Sequence, residues 1–410
     1  PATAFATNGM FMIGAGSRSV AMGGASIANP QDSFTGAYNP AAIAEVGTRA
    51  DIDGTLFIPK AAAQLGNTRV ESSSDLFLMP AMGMVMPIDN ETIMGFSFVP
   101  VGGGGSNYRT NLYNPAHGNV GVNLMIANMN PTLAQRLNDT HTVGGNLIIG
   151  AQRFKAWGLS EFNTFTPGAE PAKDMTDRGS EFSYGLGMRF GWLGSYKDLG
   201  LKLGAAYTTR THMKPFDHYK ELFAGHGDID TPGNAAIGAS LKITPKILAA
   251  FDIVRIYYED VKSIANPGPN LPGSSGWPPV SDTVNGLGAD EGLGFGWHDQ
   301  TVYKLGFQYA HNSNWTWRAG WNYGKSPIPE EREILFNLLA PATTQWHMTL
   351  GGTYKVDRGT ELNFAYMHAF TFQQSGPTYI TTKNAPDGTP LTGSIEMYQN
   401  AFSIGIGFTL

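Results

Sequence analysis

The stretch Phe182-Ser-Tyr-Gly-Leu-Gly-Met-Arg-Phe-Gly-Trp192 decides how the rest of the chain is read. Its even positions, Phe182, Tyr184, Leu186, Met188, Phe190 and Trp192, are all apolar, and its odd positions are Ser183, Gly185, Gly187, Arg189 and Gly191. Successive side chains of a strand point to opposite faces, so this strand has one greasy face and one small or polar face. The pattern returns at Asn314–Tyr323, where Trp315, Trp317, Ala319, Trp321 and Tyr323 oppose Asn314, Thr316, Arg318, Gly320 and Asn322. It closes the chain, with Phe402, Ile404, Ile406, Phe408 and Leu410 against Ser403, Gly405, Gly407 and Thr409.

A soluble sandwich also alternates, with its apolar face inward. These segments run to about ten residues, the length that crosses a hydrocarbon layer at a tilt, where ordinary strands have about five or six. Aromatic residues gather at segment ends, as in Phe182/Trp192, Trp315/Tyr323 and Tyr257-Tyr258, where interfacial girdles lie. The opposite face is Gly, Ser, Asn and Thr rather than a solvated Lys/Glu surface. A transmembrane barrel is the reading these features favour, and a large secreted β-protein stays open.

Working outward, candidate strands fall at residues 48–58, 76–88, 92–113, 120–136, 140–155, 182–193, 199–212, 234–243, 247–261, 299–311, 314–323, 346–356, 361–372 and 397–410. That is fourteen, an even number as a closed bacterial barrel requires. Short links such as 88–92, 244–246 and 312–313 alternate with long ones at 158–180, 213–233, 262–298, 325–345 and 373–396. Short periplasmic turns alternating with long external loops are the outer-membrane pattern. Within the loops, Met213–Phe223 reads as a short amphipathic turn after Pro215, and 262–298 carries Trp277 and Trp297. An apolar external loop suits capture of a greasy ligand.

Charged residues make up 15% of the 410, against about 25% in soluble domains. The net charge of −6 includes no basic run, so nucleic acid is not an expected partner. Cysteine is absent, which removes disulfides, thiolate metal sites and a cysteine nucleophile. No apolar run is long enough for a membrane-crossing helix, and Pro1 opens no signal-peptide pattern, so a signal is either not needed or already removed. No G-x-S-x-G, no H-E-x-x-H and no complete phosphate loop occurs, and the nine histidines lack metal-ligand spacing. Neither enzyme chemistry nor a metal or cofactor is expected.

The segment Gly9–Val46 fits neither helix nor strand, because Gly14, Gly16, Gly23 and Gly24 penalise a continuous helix and its apolar residues keep no period. It is too apolar for a free tail. A barrel lumen would enclose it, with Arg18 pairing to a lumen carboxylate. Farther on, Pro100 and Gly102, Gly103, Gly104 and Gly105 break the third strand, since Pro lacks an amide donor and glycine has nothing to pack. Unpaired backbone at membrane depth must face protein or a cavity, so a kink toward the interior is expected here.

Three ordered stretches resemble the FadL-type outer-membrane transporters of long-chain fatty acids and other hydrophobic compounds. They are the glycine-rich N-terminus ending in Asn39-Pro40-Ala41, Asn314–Gly320 followed by Ser326-Pro-Ile-Pro329, and Leu362–His368. A second Asn114-Pro115-Ala116 shows that the tripeptide alone is weak. The resemblance implies an all-β, 14-stranded antiparallel transmembrane barrel at residues 47–410, plugged by a hatch at residues 1–46 in the bacterial (Gram-negative) outer membrane. It implies Asn39, Pro40 and Ala41 as the hatch motif and Gly102–Gly105 as a lateral opening. Phe5, Met10, Phe11 and Met12 are expected to line the ligand pocket, methionine suiting ligands of varied shape. Alignment with the family puts Gly158 and Leu293 where the fatty-acid prototype has basic residues, leaving Arg153, Lys155 or Lys304 as substitutes.

The expected function is passive transport of hydrophobic compounds, long-chain fatty acids first. Capture in external loops is followed by an interior pocket and lateral exit. Monoaromatic hydrocarbon uptake and export of a lipid or hydroxylated lipid are alternatives on the same fold, and a general porin and a barrel-wall lipase are rivals. Expected partners are the hydrophobic ligand, outer-membrane lipid and lipopolysaccharide, around a monomer without cofactor. A bulky charged residue at Gly103 or Gly104 is expected to block uptake and leave the barrel folded.

Overall fold

A computed structural model describes residues 7–166, 172–269, 286–329, 333–381 and 390–410. Fourteen antiparallel strands form the wall: β1 (Arg49–Leu65), β2 (Phe77–Pro87), β3 (Thr92–Tyr108), β4 (Val120–Arg136), β5 (His141–Trp157), β6 (Glu181–Tyr196), β7 (Leu201–Thr208), β8 (Asn234–Thr244), β9 (Ile247–Ile256), β10 (Gln300–Ala310), β11 (Trp315–Gly324), β12 (Trp346–Lys355), β13 (Thr360–Thr381) and β14 (Pro390–Thr409). Each pairs with its sequence neighbour, and β14 pairs with β1 from Arg49↔Thr409 to Leu65↔Gly393, so the sheet closes on itself. Two short pieces lie beside this wall: Thr68–Glu71 folds back on β1, and His212–Met213 pairs with β6.

Alternation works here with the greasy face outward. On β6, Phe182 is 60% exposed and Tyr184, Leu186, Met188 and Phe190 are exposed with it, while Ser183 and Arg189 are buried. In water this surface would be an aggregation liability; in hydrocarbon it is the solvated face.

The wall departs furthest from the sequence expectation at the β13–β14 end. Within the expected long loop at 373–396, Gln373–Pro377 and Thr392–Glu396 continue the β13–β14 ladder from Gln373↔Glu396 to Pro377↔Thr392, past a bulge at Ala369/Phe372. Gln373, Gln374 and Ser375 hid this. Above the hydrocarbon the outward face no longer has to be apolar, so the alternation fades although the pairing continues.

Residues 7–46 occupy the interior and are buried almost throughout. They form only short turns, a helical one at Ser17–Ala21 and 3-10 turns at Thr35–Ala37 and Pro40–Glu45. Gly23 and Gly24, both at positive φ, stop the first. The outer end is closed by an apolar cluster that includes Phe154, Phe162, Phe216, Tyr219, Trp297 and Phe336. Tyr219 belongs to a 3-10 turn at Asp217–Tyr219, after Pro215 as expected. The turn Ile334–Asn337 is pinned inside this cluster: Tyr113 donates to the Leu335 carbonyl (3.0 Å), Tyr108 to that of Leu338 (2.6 Å), and Trp297 Nε1 to Asn337 Oδ1 (2.7 Å). Trp277 lies outside the described residues.

Candidate functional site

The β2–β3 ladder runs from Pro87↔Ile93 only as far as Met82↔Phe98. Backbone contact between the two arms resumes at Ser72↔Tyr108, where Ser73 N donates to the Asn107 carbonyl (2.9 Å). Between these points the edges at residues 74–81 and 99–106 have no ladder joining them, although β2 stays paired to β1 and β3 to β4. Pro80 and Pro100 each remove an amide donor. A bulge between Pro100 and Gly102 then turns β3, with φ of 154° at Gly102 and 151° at Gly103, which only glycine adopts readily. The wall has a window.

The window is occupied from inside. Phe11 pairs with Gly102, Met12 N donates to the Val101 carbonyl (3.0 Å), and Gly103 N donates to that of Met10 (3.0 Å). Edge groups that would stand unsatisfied at membrane depth, at several kcal/mol each, thus find partners in the N-terminal segment. Tyr258 fixes that segment from the far side, donating to the Asn8 carbonyl (2.7 Å) and accepting from Met10 N (3.1 Å). A Cβ on Gly9 would run into the Tyr258 ring, so the close approach depends on that glycine.

Of three interior cavities here, two touch this segment. Two outer ones, about 50 Å³ each, share Val122, Phe154, Phe223 and Phe295 and are almost wholly apolar; the second reaches Met10, Gly103 and Gly104. The inner one, about 120 Å³, is lined by Phe11 and Met12, by Val99–Val101 of the window, and by Arg189, Asp252 and Lys304 across the lumen. Met10, Phe11 and Met12 therefore stand between outer and inner space, while Phe5 lies outside the described residues. Leu293 lines an outer cavity, in keeping with its apolar character. Arg153 and Lys155 do not replace the missing basic residues. Their neighbours Gln152, Phe154 and Ala156 take the buried face, and Arg153 bonds Ser180 while Lys155 lies over the Trp157 ring. Lys304 does face inward, with Nζ donating to the Ile13 carbonyl (2.9 Å).

Wall side chains hold the remaining N-terminal residues by their backbone. Asp252 accepts from Ser26 N (2.6 Å) and Ile27 N (3.0 Å), Asp51 from Ser33 N (2.9 Å), and Asn146 donates to the Gly36 carbonyl (2.7 Å). Arg18 pairs with Glu361, the lumen carboxylate expected of it, and Nε donates to Asn363 (2.9 Å).

Asn39 caps the turn it opens by accepting from Ala41 N (3.1 Å), and its amide donates to the Ile27 and Trp192 carbonyls (2.8 and 3.0 Å). Asn114 caps its own Asn-Pro-Ala turn in the same way but at the surface. What separates the two is burial. Gly144 and Gly191 make room on the wall, since a Cβ on Gly144 would stand 2.6 Å from Ala41 N and one on Gly191 would meet Asn39 and Pro40. Asn39→Ala removes the cap and strands two buried carbonyls, a loss of about 2 kcal/mol or more. Hydrogen exchange should show residues 26–46 losing about 30-fold protection or more, with strand amides unchanged.

Asp32 is buried in the same segment, and burial, then Asp51, pushes its carboxyl up to about 7 against the pull of Arg18 and Arg49. Between the ordinary carboxylate value near 3.9 and about 7 the folded protein holds a proton that the unfolded chain releases, so this group's contribution to stability falls as pH rises through that window. Calorimetric melting of the wild type should drop from pH 5 to pH 8 more steeply than that of Asp32→Asn. Equal slopes would refute the assignment.

Gly103 corrects an expectation. A Cβ there would collide with the Leu124 carbonyl, and φ is in the glycine region. Substitution at Gly103 strains the strand by about 1–3 kcal/mol and so is not fold-neutral. The sequence reading also passed over Tyr258 and Asp252, which look like ordinary strand-end and lumen residues until the N-terminal segment is placed against them. Among the described residues no cluster of His, Asp and Glu could hold a metal.

The sequence signature of the outer membrane protein transport proteins (OMPP1/FadL/TodX) matches residues 1–409. Among solved structures, a Pseudomonas aeruginosa FadL homologue is similar at 15% identity and TM-score 0.69, over 98% of this chain and 99% of that one. The Pseudomonas putida toluene transporter TodX gives 16% and 0.69 over all of both chains. The Ralstonia pickettii toluene transporter TbuX gives 15% and 0.65 over 96% and 97%. At such identities these structures speak to fold alone. Among proteins with curated functions, none matches the chain in sequence. The closed fourteen-stranded wall and the full-length signature together make this chain a member of the FadL/TodX family of outer-membrane transporters of hydrophobic compounds.

Proposed function

We propose that the protein carries long-chain fatty acids across the outer membrane without energy input and releases them sideways through the window between β2 and β3. The observation that carries this is the window itself, an unladdered stretch of wall beside an interior cavity and covered by the N-terminal segment. Ligand is caught in the apolar outer cavities and displaces Met10–Met12. It then crosses the inner cavity and leaves as the segment vacates the edge at Val101–Gly103. Residues 1–46 act as the hatch, and Asn39, Pro40 and Ala41 hold it to the wall. The outward apolar faces sit in membrane lipid and lipopolysaccharide around a monomer. No step makes or breaks a covalent bond, so the protein is not an enzyme.

A single-ring hydrocarbon is the second reading. TodX and TbuX are described as toluene transporters, and an engineered apolar cavity of about 150 Å³ takes up benzene, close to the 120 Å³ of the inner cavity. The test is uptake of labelled hexadecanoate and toluene by cells with and without the protein, beside conductance in planar bilayers. Hexadecanoate uptake above background with no steady current supports the proposal. Toluene uptake alone favours the second reading, and a large steady aqueous current would refute both.

A further inference from the structure

We propose that Arg189 is an anion subsite in the inner cavity, so that the hydrophobe seated there carries a carboxylate whose oxygens bond the guanidinium. This rests on the transport reading above and deepens it by naming the residue that meets the ligand's acid group. Arg189 projects inward from β6 into the inner cavity and is only 9% exposed. Its Nε donates to Thr208 Oγ1 (2.8 Å), and its Nη1 has no hydrogen-bond partner.

The other buried cations of the lumen are better provided. Arg18 has Glu361, Arg49 has Asp51 and Glu361, and Arg318 bonds Gln31, Gln308 and Thr353. Lys304 has the Ile13 carbonyl. Asp252, the carboxylate of the cavity, accepts from Ser26 N and Ile27 N through Oδ2 while its Oδ1 has no hydrogen-bond partner, and it makes no ion pair with Arg189. Among the described residues Arg189 has no carboxylate partner within ion-pair distance. A guanidinium buried with a free donor is costly to the fold, and its planar fork fits a carboxylate's two oxygens. Phe11, Met12, Val99 and Ile148 line the same cavity and suit the adjoining hydrocarbon.

The test titrates hexadecanoate at pH 8 and methyl hexadecanoate into the full-length protein in a neutral detergent, by calorimetry. Wild type should bind the acid about ten- to a hundredfold more tightly than the ester, the worth of a charged hydrogen bond. Arg189→Met should lose that preference through the acid alone, and Arg189→Lys should keep part of it. Without ligand, Arg189→Met should melt above wild type, because an unpaired buried charge has gone; hexadecanoate should raise the wild-type melting point more than methyl hexadecanoate does, and should raise that of Arg189→Met no more than the ester does. Equal binding of acid and ester by wild type, an undiminished preference in Arg189→Met, or a lower melting point in that variant would overturn the assignment. Ester binding without acid preference sinks Arg189 alone, whereas failure of both ligands to bind also removes the transport reading.

Discussion

A disulfide between Met12→Cys and Val101→Cys should reduce uptake to the level of cells lacking the protein, and a reductant should restore it. The two residues share a backbone hydrogen bond of 3.0 Å at the window. Hydrogen-bonded antiparallel neighbours stand about 5.5 Å apart at Cα, inside the roughly 4.4–6.8 Å that a disulfide spans. No native cysteine competes. The cross-link adds no bulk to the outer cavities and no charge; it only holds the N-terminal segment on the edge it must leave. Each single variant should transport normally. Full uptake by the oxidised pair would mean that the segment need not move.

Glu361→Gln should free the N-terminal segment without opening the wall. Glu361 accepts from both Arg18 and Arg49 in a nearly dry setting, and removing one partner of a buried pair costs about 3–5 kcal/mol because the remaining charge is uncompensated. Arg49 keeps Asp51, at 2.6 Å, so the loss falls mainly on Arg18 and the turn Ser17–Ala21. Limited proteolysis should then cleave within residues 15–35, and a hydrophilic dye should leak. The wall should stay folded, because β13 keeps its ladders to β12 and β14. The double variant Arg18→Met/Glu361→Gln should regain much of the protection, since replacing both partners leaves no stranded charge. If Glu361→Gln resists protease like wild type, the ion pair is not what holds the segment.

The wall was legible in the sequence because each spanning residue answers to one local rule, apolar outward and small inward. Phe182–Trp192 states that rule with Arg189 as its one exception. It weakened at Gln373–Ser375, above the lipid, and at Tyr207–His212, where β7 leaves the ladder at Thr208 and His212–Met213 resumes beside β6. The N-terminal segment was legible only as something needing shelter, since its conformation is set by partners far along the chain such as Asp252, Trp192 and Tyr258. Pro100 and the glycines announced a break in β3. That Met10–Met12 fill it is a contact across some ninety residues, which no periodicity encodes. Arg189 stood in plain view on the small face of the clearest strand; what the sequence withheld was the lack of a carboxylate beside it.

The account turns on lateral release, and site-resolved photo-crosslinking with a diazirine-bearing hexadecanoic acid tests it most directly. Label should fall on the window edges, at Met79, Val99 and Val101, and on Phe11 and Met12. Label at Ala44, Glu45 and Val46, beside the periplasmic turns, with the window edges unlabelled, would contradict it and mean that ligand passes straight down the barrel axis.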